Sequence, residues 1–309
     1  MRVFVAGASG AVGRRLLPQL VAAGHTVVAM TRVPSRTAAM TAAGAETVVG
    51  DVFDRDGLLA AVRGAMADAI INQLTDLPTA MNPRQLGAIY ERNNRVRREG
   101  TRNLIAAAVQ TGVTRFVVQS MGTWYRPEGG LIKSESDPLW TDAPEPIGEA
   151  VRTVAAMETS VMRETPIGVV LRYGGFYGAG TWYAPGGEIA RRMKSRGFPI
   201  IGDGAGVTSF VHVDDAASAA VRALSARASA IYNVVDDDPA PAAEWIPAYA
   251  AAIGAPRPLR VPAFLARLAI GNAMTTWMVT LRGASNAKVA AELGWRPKYR
   301  SWRNGIAND

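Results

Sequence analysis

A chain of 309 residues with 49% hydrophobic and 19% charged residues is long enough to bury a sizeable core, as one large α/β unit or one unit with a subsidiary lobe, and has the balance of a soluble globular protein. The absence of cysteine excludes disulfides and thiolate metal sites, two histidines (His25 and His212) are too few for a histidine-based zinc site, and no carboxylate cluster asks for a metal, so none is expected. The formal charge of +8 comes from arginine, since lysine stands only at Lys133, Lys194, Lys288 and Lys298, and its densest stretch, residues 92–102, falls on the polar face of a predicted helix, so no nucleic-acid partner is expected.

The chain opens on a strand at residues 2–6, with no charged leader or cleavable apolar segment, and is expected to be cytoplasmic. Periodicity then predicts a helix over 11–23, a strand at 26–30, a helix over 36–43, a strand at 46–49, a helix over 55–62 and a strand at 69–74. A long helix over 86–112 and a strand at 115–119 follow. This β-α alternation predicts an α/β fold with a doubly wound parallel sheet (a Rossmann fold). The rhythm breaks after residue 120. Residues 121–148 read as an irregular loop, 149–163 as a helix, 168–172 as a buried strand and 173–187 as a glycine- and tyrosine-rich loop. Strands are predicted near 209–213 and 230–235, both returning to the first domain. The expected division is a nucleotide-binding domain over 1–172 and, over 173–309, a smaller mixed substrate lobe. The apolar stretch 261–281 contains Arg267, Gly271 and Asn272, too interrupted to span a bilayer, so no membrane partner is expected.

Between the first strand and helix lies GASGAVG, with Gly7, Gly10 and Gly13 spaced G-x-x-G-x-x-G. The first glycine permits a tight turn, the second lets backbone N–H groups reach a pyrophosphate, and the third lets helix and strand pack closely; the helix N-terminus adds partial positive charge. Ser9, Ala11 and Val12 complete the predicted cradle. The second strand ends Met30-Thr31-Arg32, with Arg36 beyond it. Sites for NAD usually place an acidic residue there for the ribose 2′-hydroxyl, whereas a guanidinium suits a 2′-phosphate, so NADP(H) is the expected cofactor. Asp51, with Val52 beside it in GDVFD, is placed for the adenine amino group.

These pieces, together with EGTRNLIAAAVQTGVTRFVVQS, LRYGGFYGAGT, SFVHVDDAA, IYNVVDD and SNAKVAAELGWRP, run in order along nearly the whole chain. The chain resembles an extended short-chain dehydrogenase/reductase of the NAD-dependent epimerase/dehydratase family. The resemblance implies that Leu74 and Thr75, after the fourth strand, and Gln119 and Ser120, at the end of the fifth, line the cofactor groove. It also implies that Tyr173, Gly174 and Phe176 pass the nicotinamide, that the C-terminal lobe shapes a pocket for a small-molecule substrate, and that a homodimer forms through the two long helices.

The family works with a Tyr-x-x-x-Lys pair on a helix, and no such pair occurs in this sequence. Aligning that helix on Glu158 puts Ala150 in the tyrosine place and Val154 in the lysine place, and Met121 stands at the serine place with Ser120 one residue earlier. Three alternatives stay open. Another group could move the proton, with Tyr125 and Tyr173 the leading candidates, Ser120 beside them, and Glu149 a weaker one. Reduction of a pre-activated iminium or conjugated C=C, or a cofactor-assisted rearrangement, could need little proton transfer from the protein. The chain could instead be a non-enzymatic sensor of the NADP+/NADPH ratio, or a non-redox epimerase or dehydratase that retains its cofactor. His212 reads as a core hydrogen-bonding residue. Trp124, Tyr125, Trp140, Trp182, Tyr183 and the segment 274–278 suit either a pocket or an ordinary lobe core. Arg97, three residues before Gly100-Thr101 where the family commonly has asparagine, could brace the fifth-strand loop or be solvated.

Overall fold

The computed structural model describes residues 1–78 and 85–308. Seven strands, β1 (Arg2–Ala6), β2 (Thr26–Thr31), β3 (Glu46–Val49), β4 (Ala69–Asn72), β5 (Arg115–Met121), β6 (Ile167–Tyr173) and β7 (Ala230–Val234), form one sheet. Its order is β7-β6-β5-β4-β1-β2-β3, and every pair is parallel. Such strands are covered on both faces, so they read as continuous apolar runs: Val3, Phe4, Val5 and Ala6 are all fully buried.

Helices α1 (Ala11–Ala22), α2 (Thr37–Ala42), α3 (Arg55–Ala65), α4 (Leu86–Arg95), α5 (Thr101–Thr111), α6 (Ile147–Glu164), α7 (Glu188–Lys194) and α8 (Val213–Ala223) accompany these strands. Val12, Leu16, Leu17 and Leu20 form the buried stripe of α1, and it packs with the alanine-rich face of α8 over Val3 and Val5. The small side chains at Ala216, Ala217, Ala219 and Ala220 let α8 lie close to the sheet. On the opposite face, Leu58 and Val62 of α3, Leu104 and Ile105 of α5 and Met157 and Val161 of α6 pack around Phe4, Phe116 and Val170.

Three departures from the sequence reading affect the site. The helix predicted over 86–112 is α4 and α5 joined by a π-helical turn at Val96–Gly100. Such turns are rare and concentrate at functional positions; here the turn contains the buried Arg97. Gly100 also lies where a Cβ would come within 3.1 Å of Val52. The fourth strand ends at Asn72 rather than 74, because the Asn72 side chain accepts the Leu74 N–H (3.0 Å) and turns the chain out of the ladder. Of the two later strands, β7 joins the sheet edge beside β6, whereas Phe210–His212 pairs with Gly175–Tyr177 in a separate two-stranded ladder.

The C-terminal part adds α9 (Ala242–Ala252), α10 (Ala263–Ile270), α11 (Asn272–Thr280), α12 (Ala287–Leu293) and α13 (Trp302–Asn308). Gly271, at φ +84°, separates α10 from α11. Among the described residues no helix is long and apolar enough to cross a membrane. The aromatic set divides between two clusters. Trp182 and Tyr183 pack in the lobe with Tyr177, Phe210, Trp245 and Tyr249, while Trp124, Tyr125, Trp140 and Trp277 gather around the start of α6.

Candidate active site

The strand order reverses between β1 and β4, and a crevice opens beyond their carboxyl ends, the position at which open α/β sheets bind ligands. Gly7 leaves β1 at φ +85°, and a Cβ there would stand 2.5 Å from the Gln73 carbonyl carbon and 2.8 Å from the Leu74 nitrogen. A Cβ on Gly13 would meet the Gly7 oxygen at 2.3 Å. Gly10 differs: its Cβ position has only the Gly7 oxygen nearby, at 3.4 Å. It is the N-cap of α1 and supplies no side-chain cap, so the N–H groups of the first turn, with Ser9, Ala11 and Val12 around them, are left for an anion. The buried Gln73 Oε1 at this edge has no hydrogen-bond partner. The cradle fits a dinucleotide pyrophosphate.

Beside it, Arg36 Nη1 donates to Ser9 Oγ (3.1 Å), and Arg32 is exposed next to Thr31 at the end of β2. Ser9 and Arg36 therefore meet at one rim of the turn, with Arg32 just beyond the end of the neighbouring β2. Asp51 Oδ1 accepts the Phe53 N–H (3.0 Å) and so shapes its own loop, and the buried Val52 offers its carbonyl to Asn103 Nδ2. Leu74 and Thr75 are half-buried on the crevice wall. Gln119 is half-buried on the sheet face opposite Ser120. Gly174 passes Ser209 so closely that a Cβ would stand 2.5 Å from its carbonyl oxygen, and the Phe176 ring lies 5.2 Å from that of Tyr173.

Two of the three predicted catalytic hydroxyls meet in one buried network. Ser120, Arg172 and Asn233 stand in register on β5, β6 and β7, so their side chains project from the same face toward α6. Ser120 Oγ donates to Glu158 Oε1 (2.5 Å). Arg172 binds both Glu158 oxygens, through Nε at 2.9 Å and Nη2 at 2.6 Å, and donates through Nη1 to Tyr125 Oη (3.0 Å). Tyr125 in turn donates to Asn233 Oδ1 (2.6 Å). Burial pushes the Tyr125 phenol above its ordinary range. Burial also works against the Arg172 charge, but the hydrogen bonds and charge of Glu158 outweigh it and hold the guanidinium above its usual range. Tyr125 is thereby kept as a protonated, doubly engaged hydroxyl.

Tyr173 lies on the other face of the sheet, 1% exposed. Its hydroxyl donates to the Ala216 carbonyl (3.1 Å) and accepts from Gln73 Nε2 (3.3 Å), and burial holds it protonated. The side chain ties β6 to α8 and has no opening to the crevice. Tyr173→Phe is accordingly expected to cost about 1–2 kcal/mol of stability and to leave kcat within about threefold of wild type. A parallel urea titration and turnover assay check this, and a loss of turnover at full stability would restore Tyr173 as a proton donor.

Ala150 and Val154 of α6 are fully buried, packed with Val151, Ile147, Trp124 and Tyr125. Glu149 is exposed and bound by Arg98. His212 caps α8 by accepting the Asp214 N–H through Nδ1 (3.1 Å) and stacks on Tyr299 at 3.9 Å, a structural position. Arg97, neither solvated nor peripheral, is 4% exposed and stands 5.2 Å over the Trp124 ring in the loop after β5. The Glu158–Arg172 pair and the depth of Arg97 are the features that residue spacing alone did not reveal. The signal that could have found the pair is a charged residue inside each of two otherwise apolar patterns, VVLRY and the face of α6; the depth of Arg97 had no such signal.

The chain matches the NAD dependent epimerase/dehydratase family over residues 3–235 and belongs to it. It is 42% identical over 310 residues to a 3-diazoavenalumate denitrifying reductase of a Streptomyces species, covering 100% of both chains. It is 28% identical over 284 residues to a 2-alkyl-3-oxoalkanoate reductase of Stenotrophomonas maltophilia, covering 88% of this chain and 81% of that one. Among solved structures, the UDP-glucose 4-epimerase of Thermus thermophilus in complex with NAD superposes with a TM-score of 0.74 at 25% identity, covering 99% of this chain and 97% of that one.

Proposed function

We propose that this member of the family is an NADPH-dependent reductase that acts on a pre-activated group of a small organic acid, a diazo acid foremost, without a proton donor on α6. One observation carries this reading: no Tyr-x-x-x-Lys pair occurs in the sequence, and Ala150 and Val154, which stand in those places when α6 is aligned on Glu158, are buried apolar side chains. Neither side chain can donate a proton, and the two hydroxyls nearest in sequence logic, Ser120 and Tyr125, are held by Glu158, Arg172 and Asn233. A ketone reduced by hydride becomes an alkoxide and needs a proton at once; an aryl diazo group does not. A nicotinamide dinucleotide held at the α1 turn would supply hydride; an aryldiazonium cation that takes up this hydride and loses N2 ends as the arene (ArN2+ + H− → ArH + N2), so atoms, charge and electrons balance without an external acid.

The full-length similarity to a reductase named for a diazo acid anion supports the substrate class, and the second reductase is also named for an acid anion. Arg32, Arg36 and Ser9 support the 2′-phosphate form of the cofactor. The chain's own residues would hold the pyrophosphate on the α1 turn, place the reactive group between the ends of β4 and β5, and wall it with Trp124, Trp140 and Trp277. Positioning and exclusion of water then carry the catalysis.

The test follows NADPH oxidation and N2 release with an aryl diazo carboxylate, against a blank without enzyme. Equimolar consumption and release are expected, with NADPH preferred over NADH by about tenfold or more, as one lost charge-assisted contact implies. A rate equal to the blank, alongside ready reduction of the matching keto acid, would overturn the reading.

A further inference from the structure

The π-helical turn sets a guanidinium in the interior with no carboxylate hydrogen-bonded to it among the described residues. Arg97 is 4% exposed, and its Nε and Nη1 are both buried without a hydrogen-bond partner. Two further polar atoms close to it in the chain or in the stack are orphaned as well, Asn94 Oδ1 one turn earlier on the helix and Thr123 Oγ1 beside Trp124. Tyr90, two helical turns before Arg97, meets the same Trp124 ring edge-on at 6.1 Å. Trp277 of α11 closes the set from the C-terminal lobe by donating to the Thr123 carbonyl (3.3 Å).

Glu158 is a carboxylate that acts on Arg97, and it is already bound through both oxygens by Arg172 and by Ser120. Glu135 reaches the far side of that network through the Asn233 backbone and does not act on Arg97. Burial lowers the Arg97 pKa to about 10, and burial likewise pushes the Tyr90 phenol up to about 12, so at neutral pH a charged guanidinium faces a neutral phenol. A buried cation in this position is costly unless an anion completes it. An open guanidinium N–H for one carboxylate oxygen, a hydroxyl able to donate to the other and an aromatic wall match a planar carboxylate on a conjugated or aromatic stem.

We infer that Arg97, with Thr123 Oγ1 and the face of Trp124, is the site that binds the substrate's carboxylate. This rests on the reductase reading only for the identity of the acid as substrate; the anion site itself stands on the orphaned guanidinium. Arg97 is then a binding residue that holds the acid end while the reactive end lies at the crevice.

Cinnamate and its neutral amide, cinnamamide, are the probes, titrated calorimetrically into the full chain with NADP+ present so that no turnover occurs. Wild type is expected to bind cinnamate about 100-fold more tightly than cinnamamide, the size of effect given by a buried charge-assisted pair. Arg97→Met is expected to lower cinnamate affinity to that of the amide, and Arg97→Lys, which keeps the charge, to recover part of it. Equal binding of acid and amide by wild type would overturn the site whether or not the variants fold. So would an acid preference that survives in Arg97→Met. Preserved acid binding with no turnover of any diazo acid would remove the reductase reading and leave the anion site, so the two fail separately.

Discussion

Glu158→Ala is expected to lower the free energy of unfolding by about 3–5 kcal/mol, because it leaves the Arg172 guanidinium buried without its counter-charge. Both side chains are almost wholly out of water, at 4% and 6% exposure, and three hydrogen bonds end on the one carboxylate. Removal therefore strands Arg172 and also the Ser120 hydroxyl, which is fully buried. The loss spreads further, since Arg172 positions Tyr125 and Tyr125 positions Asn233. Urea unfolding followed by tryptophan fluorescence gives the midpoint shift. The double variant Glu158→Met with Arg172→Met is expected to be less destabilised than Glu158→Ala alone, because no charge is left behind. A loss below about 1 kcal/mol in Glu158→Ala, the scale of an exposed pair, would contradict a buried, mutually dependent network.

Substitutions in the glycine turn should separate folding from cofactor binding. Gly7→Ala is expected to damage both. The residue sits at φ +85°, which costs an alanine about 1–3 kcal/mol, and the methyl would overlap the backbone at Gln73, 2.5 Å away. Because Gln73 N donates to the Ala6 carbonyl (2.8 Å), relief of that overlap separates the ends of β1 and β4, and NADPH affinity should fall by about 100-fold or more, roughly 3 kcal/mol. Gly10→Ala makes the contrast. Its φ of −73° is ordinary for alanine, and only the Gly7 oxygen lies near its Cβ, at 3.4 Å. The fold should keep its stability within about 0.5 kcal/mol. The methyl nevertheless stands where backbone N–H groups must approach the pyrophosphate, so affinity should drop by about tenfold or more. Thermal melts with and without NADPH distinguish the two outcomes. Unchanged cofactor affinity in Gly10→Ala would remove the phosphate from this turn.

Much of the scaffold was legible because its causes are local. β1 through β5 are apolar runs separated by amphipathic helices, and Gly10 and Gly13 have backbone tasks set by near neighbours in the chain, whereas Gly7 also answers to the distant Gln73. The π-helical turn at Val96–Gly100 was not legible, since helical periodicity continues across it and the register shift is resolved only by what the turn packs against, Val52 and Trp124. The Ser120–Glu158–Arg172–Tyr125–Asn233 network was hidden for a similar reason. Its bonded partners are up to 108 positions apart and meet only through the β5–β6–β7 register. Ser120 and Tyr125 were selected from sequence as loop or strand-end hydroxyls near the crevice, and both prove to be interior partners of an ion pair. The segment 209–213 illustrates the limit from the other side. It has a strand's composition and does form a strand, yet Phe210–His212 pairs with Gly175–Tyr177 rather than with the main sheet, and no local pattern specifies which edge a short strand chooses.

The glycine turn of the family frame is in place, and no Tyr-x-x-x-Lys pair occurs in the sequence. In the proposed reductase reading the chemistry of the acceptor compensates, and this is the claim on which the rest of that reading depends. The most direct test follows NADPH oxidation and N2 release with an aryl diazo carboxylate as acceptor, with mass spectrometry of the denitrogenated acid. One N2 and one denitrogenated acid per NADPH consumed is the predicted result. Enzyme-dependent loss of nitrogen without NADPH consumption, or NADPH oxidation that leaves both diazo nitrogens in the product, would contradict it.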